Sequence, residues 1–122
     1  MRKILICLML ALGLVISPVS AKKKKAMVTL KVIGIHKTFY NKKLSYKKGE
    51  TAYTLLKRSK LKLKTKGFGP FLYVSSINGL AEKTHGNLSG WMYKVGKKAP
   101  NVGANAYKLK ANMKVTWYYV NY

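Results

Sequence analysis

Catalysis and metal binding draw on carboxylates, imidazoles and thiols, and this chain of 122 residues holds few of them. Its acids are Glu50 and Glu82, its imidazoles His36 and His85, and its thiol Cys7. Glycosidase-like chemistry needs two positioned carboxylates, but Glu50 stands where a helix is expected to begin, and a dipole or capping role accounts for it there. Metal sites need about three or four ligands. His36 and His85 are far apart in sequence, and Glu82 with His85 makes only a pair in a glycine-rich loop. Ser45, Ser59, Ser75, Ser76 and Ser89 lack the nucleophile-elbow context. Gly67-Phe68-Gly69-Pro70 lacks the phosphate-loop pattern and precedes a strand rather than a helix. The sequence therefore predicts no catalytic residue, no metal site and no enzyme.

What remains is binding, through aromatic rings and lysines. Trp91, Tyr93, Tyr107, Trp117 and Tyr118, with Tyr119, are candidates for an aromatic surface that takes a flat ligand or sugar rings. The competing reading puts Trp91 and Trp117 in the core, since Val95, Met113 and Val115 alternate with them and aromatics dominate small cores. Tyr118 and Val120 fall on the strand face opposite Trp117. Lys60, Lys62, Lys64 and Lys66 alternate with Leu61, Leu63 and Thr65, which as a strand sets four like charges in a row. That row is either a docking stripe for a polyanion or a solvated edge strand whose lysines block aggregation.

Net charge points the same way. The formal charge is +23, and without Arg2 and Lys3 the chain keeps about +21 against its two acids. Such a balance implies a polyanionic neighbour, whether a cell-wall polymer, an anionic membrane surface or nucleic acid, or else lysines that merely solvate. No specific nucleic-acid motif accompanies it.

These groups need elements to position them. Arg2 and Lys3 followed by an apolar run over Ile4 to Ile16 and by Pro18-Val19-Ser20-Ala21 predict a secretory signal peptide over 1–21. The run is short of the ~20 residues that span a bilayer. Cys7 lies too near the N-terminus, with the apolar run still ahead of it, for lipidation. With it removed, the mature chain has no cysteine, and its stability rests on apolar packing. A basic arm over 22–26 is expected to be disordered, and 27–122 forms one domain.

In that domain Met27 to Ile35 alternates as a half-buried strand with Val28, Leu30 and Val32 inward. Thr38 to Tyr46 reads as a polar strand or hairpin broken near Asn41. Ala52, Leu55 and Leu56 make one helical stripe after a cap at Gly49 or Thr51. At about two turns this helix is too short to hold alone, and too short to act as a membrane-seeking element. Phe71 to Ile77 reads as an apolar strand that ends in an Asn78-Gly79 hairpin turn. Trp91 to Val95 and Met113 to Val120 complete the pattern. Turn formers Pro100, Asn101, Gly103 and Asn105 lie between them.

The run Gly90-Trp91-Met92-Tyr93-Lys94-Val95, then Gly103-Ala104, Tyr107-Lys108-Leu109 and Val115-Thr116-Trp117-Tyr118-Tyr119, resembles a bacterial family of unknown function. That family is similar to the C-terminal domain of transcobalamin and intrinsic factor, the animal cobalamin carriers. Upstream, Gly49-Glu50-Thr51-Ala52, Phe68-Gly69, Tyr73-Val74 and Ile77-Asn78-Gly79 fall in the family's order. Two turns depart from it, at Val95-Gly96-Lys97 and at Ala111-Asn112, where the family carries an acidic residue. The resemblance implies an α+β domain of mostly antiparallel strands with one short helix, β-grasp-like, over 27–122. It also implies cobalamin or a related corrinoid as a ligand, of which the domain supplies half a site and a partner protein the rest. The expectation drawn from sequence is thus a secreted, non-catalytic binding or adhesion module of a Gram-positive-type surface. Charge would hold it to an anionic cell-wall polymer or membrane surface. Corrinoid binding is the alternative.

Overall fold

The computed structural model describes residues 26–121. The expected leader over 1–21 and all of the basic arm but Ala26 lie outside the described residues, as does Tyr122. Strand β1 (Met27–Ile33) alternates as its sequence dictates, with Val28, Leu30 and Val32 in the core. It pairs antiparallel with β2 (Thr38–Ser45), whose mostly polar residues suit a sheet edge. The ladder runs through Asn41, which pairs with Lys31, and the irregularity falls instead between Val32 and Ile33. Strand β7 (Lys114–Val120) lies parallel to β1, and β6 (Gly90–Val95) antiparallel to β7, giving the order β2-β1-β7-β6. The registers set Leu30 beside Val115, Val32 beside Trp117, and Tyr93 beside Trp117, so one face of the sheet carries the apolar and aromatic set.

Helix α1 (Ala52–Lys57) starts where its chemistry directs. Thr51 caps it, accepting from the Thr54 N–H at 3.1 Å while the Thr54 hydroxyl accepts from the Thr51 N–H at 2.8 Å. Ala52, Leu55 and Leu56 are buried, and each leucine contributes about 1.5–3 kcal/mol by leaving water. Tertiary burial thus secures a helix too short to persist alone. Glu50 does not serve the helix dipole from the first turn, which holds no acid. It precedes the cap and takes a hydrogen bond from Arg58 Nη1 at 2.8 Å, while Arg58 also donates to the Ser45 carbonyl at 2.9 Å. The pair ties the two ends of the helix to each other and to the end of β2.

A smaller sheet holds β3 (Leu63–Lys66), β4 (Tyr73–Ile77) and β5 (Leu80–Ala81) in the order β3-β4-β5. Asn78 and Gly79 both take positive φ, at 54° and 87°, the geometry of the tight hairpin their types favour. The strand expected over Lys60–Lys66 is shorter. Lys60 has φ 62° and its N–H bonds back to the Lys57 carbonyl, so the chain is still leaving the helix there. The strand expected from Phe71 also begins later, because Gly69–Phe71 forms a 3-10 turn around Pro70. The described chain is therefore mostly β, in two sheets with one short helix.

A cavity at the free edge of strand β6 as the candidate functional site

Strand β6 is an edge strand, and the unpaired side faces a cavity of about 500 Å³. Trp91, Tyr93 and Trp117 form one wall, Leu72–Val74 another, and the loop carrying Pro100, Val102 and Gly103 closes the third. Tyr73, Leu88, Met92 and Val102 line the cavity yet remain exposed, which gives the mouth an apolar rim.

The wall residues are fixed by contacts that follow from their types. Trp91 donates from Nε1 to the Leu80 carbonyl at 2.7 Å and meets Tyr119 edge to face at 5.4 Å between centroids. Phe39 reaches Trp91 at 6.1 Å by lying over Gly34, where a Cβ would stand 2.7 Å from the Phe39 ring. Tyr93 lies 5.3 Å from the Trp117 ring at 31° and donates to the Val102 carbonyl at 2.6 Å. Burial, with Tyr107 nearby, raises the Tyr93 hydroxyl above its ordinary pKa.

The closing loop is anchored to the Gly69–Phe71 turn. Asn105 Nδ2 donates to the Gly69 carbonyl at 3.0 Å, and a Cβ on Gly103 would stand 2.5 Å from the Pro70 carbonyl oxygen. At the other side, Lys66 donates to Glu82 at 2.6 Å, and this hydrogen bond is the main cause holding the Glu82 carboxyl below its ordinary range. Burial and then Glu82 push the neighbouring Tyr73 hydroxyl up. Gly90 makes room for that hydroxyl, since a Cβ there would lie 2.9 Å from it.

The two tryptophans differ in one respect. Both are 3% exposed, but Trp91 is hydrogen-bonded and Trp117 Nε1 has no partner among the described residues. An orphaned buried donor costs about 1–3 kcal/mol. The Trp117 N–H is itself buried, so Trp117 meets the cavity through other atoms of its side chain.

Of the residues singled out from sequence, Trp91, Tyr93 and Trp117 come together on the cavity, the two tryptophans buried as core and lining at once and Tyr93 half-buried against them. Tyr107 stands behind them, edge-on to Tyr93 at 6.4 Å. Tyr118 is on the opposite sheet face, with Lys94 Nζ 5.6 Å from its ring centroid. Lys60, Lys62, Lys64 and Lys66 are all exposed, but β3 starts only at Leu63, its register shifts between Lys64 and Thr65, and Lys66 is engaged by Glu82. The sequence does not mark the walls from Leu72–Val74 and the 99–104 loop as part of a site. Their only signal is the cluster of turn formers around Pro100, which says loop without saying what the loop covers.

Among the described residues no three of His, Cys, Asp and Glu gather as a metal site would need, and no helix is long and apolar enough to cross a membrane.

The family model of a domain of unknown function, DUF4430, matches residues 49–121. No curated protein matches the sequence. Among solved structures, a protein of Ruminococcus gnavus ATCC 29149 named as a candidate metal binding protein superposes with a TM-score of 0.60 at 10% identity, over 80% of this chain and 99% of that one. Haptocorrin in complex with Cbi superposes with a TM-score of 0.53 at 16% identity, over 78% of this chain. The chain spans 26% of haptocorrin's length, so the likeness is to a part of that protein and extends to fold alone.

Proposed function

The chain belongs to the family of this domain of unknown function, and from that premise we propose that it is a non-catalytic module whose ligand sits in the cavity beside β6. The observation that carries the reading is the cavity itself: about 500 Å³, walled by packed aromatic rings and rimmed by apolar side chains. Ligand pockets of small molecules run about 300–1,000 Å³ and pair such walls with few polar groups. Likeness to haptocorrin, a structure that holds Cbi, supports a corrinoid as the first compound to try.

Parallel pairing of the first and last strands at the sheet centre, with α1 packed in the core, supports the finer fold reading, an α+β, β-grasp-like cap. A cap of this size covers part of a corrinoid, and a partner protein completes the site. Titration with cobalamin to millimolar concentration, followed by calorimetry and tryptophan fluorescence, tests this. Heat and a fluorescence change that W117F weakens are expected. Neither signal at millimolar ligand ends the corrinoid reading.

A second reading concerns where the module resides. Among the described residues only Lys66 and Arg58 form ion pairs, so most of the positive charge has no internal partner. This favours an exported protein held by charge at an anionic bacterial surface. Washing producer cells with rising salt releases protein held in this way, whereas protein that stays on the wall in high salt overturns the reading.

A further inference from the structure

The outer face of the four-stranded sheet carries a lysine array that no short stretch of sequence contains. Outward positions on β1 are Met27, Thr29, Lys31 and Ile33, alternating with the buried Val28, Leu30 and Val32. The registers place Thr29 between Lys43 of β2 and Lys114 of β7. They place Lys31 between Asn41 and Thr116, with Lys94 of β6 beyond Thr116. Lys43, Lys31, Lys114 and Lys94 therefore zigzag across all four strands. With strands about 4.8 Å apart and a two-residue repeat of about 6.7 Å, successive lysines leave the backbone roughly 8 Å apart.

Lys43, Lys94 and Lys114 are exposed and Lys31 is half-buried. No acid shares the face. Glu50 lies before α1 in the grip of Arg58, and Glu82 follows β5 in the grip of Lys66. The residues between the lysines are half-buried Thr29, exposed Asn41 and buried Thr116, all uncharged, so none opposes the array.

We propose that this face binds a linear polyphosphodiester without bases, of the poly(glycerol phosphate) kind, laid across the strands. The inference rests on the charge-retention reading and names the surface responsible. Compact ammonium groups on flexible stems suit a phosphate chain as point charges. A single-stranded nucleic acid would also need rings on which bases stack. Among the described residues the one ring within the zigzag, Tyr118, is half-buried with Lys94 held against it. A lipid surface would call for an amphipathic element that inserts, and among the described residues this face offers Met92 as its one exposed large apolar side chain, with Met27 and Ile33 half-buried.

The test measures binding of the full chain to immobilised poly(glycerol phosphate) as salt is raised. The variant K31Q/K43Q/K94Q/K114Q is expected to lose about tenfold or more in affinity, and its salt slope to fall by roughly 3, the value for four contacts on a single strand. The matching four-fold Lys→Arg variant keeps both charge and binding, which separates loss of charge from loss of fold. The K60Q/K62Q/K64Q/K66Q variant changes affinity by less than about threefold, because β3 is outside the array. Equal losses in the two Lys→Gln quartets would overturn the face while leaving charge retention standing. No binding by the unaltered chain at about 0.1 M salt would overturn both. Tighter binding to oligothymidylate, or to phosphatidylglycerol vesicles, than to the polymer would overturn the occupant.

Discussion

At the scale of single residues, the cavity depends on a few atoms that have no room to move. Gly103 approaches the Pro70 carbonyl so closely that a Cβ would stand 2.5 Å from its oxygen, and backbone cannot swing aside as a side chain can. G103A is therefore expected to cost about 1–3 kcal/mol, the usual price of overpacking, and to loosen the loop against β6. Denaturant unfolding with amide exchange of residues 99–104 checks it. An unchanged midpoint with a protected loop would show that Pro70 yields. G34A differs, since its nearest neighbour is the Phe39 ring, a side chain that can rotate away from Trp91 at smaller cost. Glu82 sets a pH dependence. Its folded pKa lies below the ordinary value of 4.5, chiefly through Lys66. The Lys66 contact accordingly stabilises the fold above about pH 4.5 and is lost as pH falls through the folded value. Lys66 is mostly exposed, so the effect is expected to stay under about 1 kcal/mol. K66Q should flatten the acid limb of a stability-against-pH curve, and identical limbs in the two proteins would remove Glu82 from the account.

At the scale of elements, α1 shows how much a local signal can decide. It is six residues long, so a reciprocal cap at Thr51 and Thr54 satisfies a large share of its free N–H groups. T51A is expected to cost about 0.5–2 kcal/mol, read as a lower denaturation midpoint with an unchanged slope. A shift below a few tenths would mean that Leu55 and Leu56 hold the helix without the cap. Elements of this kind were legible in sequence because their causes are local: alternation in β1, the apolar stripe of α1, the Asn78-Gly79 turn. Lys60 to Lys66 alternates just as well, yet Lys60 is still in the turn that ends the helix, so periodicity alone overreached. The parallel pairing of β1 with β7 was not legible, because it joins segments from opposite ends of the domain and no local residue pattern specifies it. The candidate site lies between these cases. Trp91, Tyr93 and Trp117 stood out by type, but the walls facing them come from β4 and the 99–104 loop, which only the fold brings near.

At the scale of the whole molecule, charge and fold pull against each other. The chain carries a formal +23 with two acidic residues, and both acids are already engaged, by Arg58 and by Lys66. The other lysines therefore repel one another across a small surface, and folding brings them closer than they are in the extended chain. A protein stabilised by surface ion pairs weakens as salt screens attraction. Here the screened term is repulsion, so the sign reverses. The melting temperature is expected to rise as sodium chloride goes from about 20 mM to about 0.3 M, where the Debye length drops from roughly 20 Å to below the typical spacing of surface charges. A domain of this size shifts by about 4–8 °C for each kcal/mol of repulsion relieved. Screening saturates once neighbours are shielded, whereas salting-out of apolar surface keeps growing with concentration, so the shape of the curve separates the two. K31Q/K43Q/K94Q/K114Q should start from a higher melting temperature at low salt and gain less from added salt, because four of the repelling charges are gone from one face. A melting temperature that falls with salt, or a variant with the same salt response as the unaltered chain, would mean that the lysines are too far apart to strain the fold.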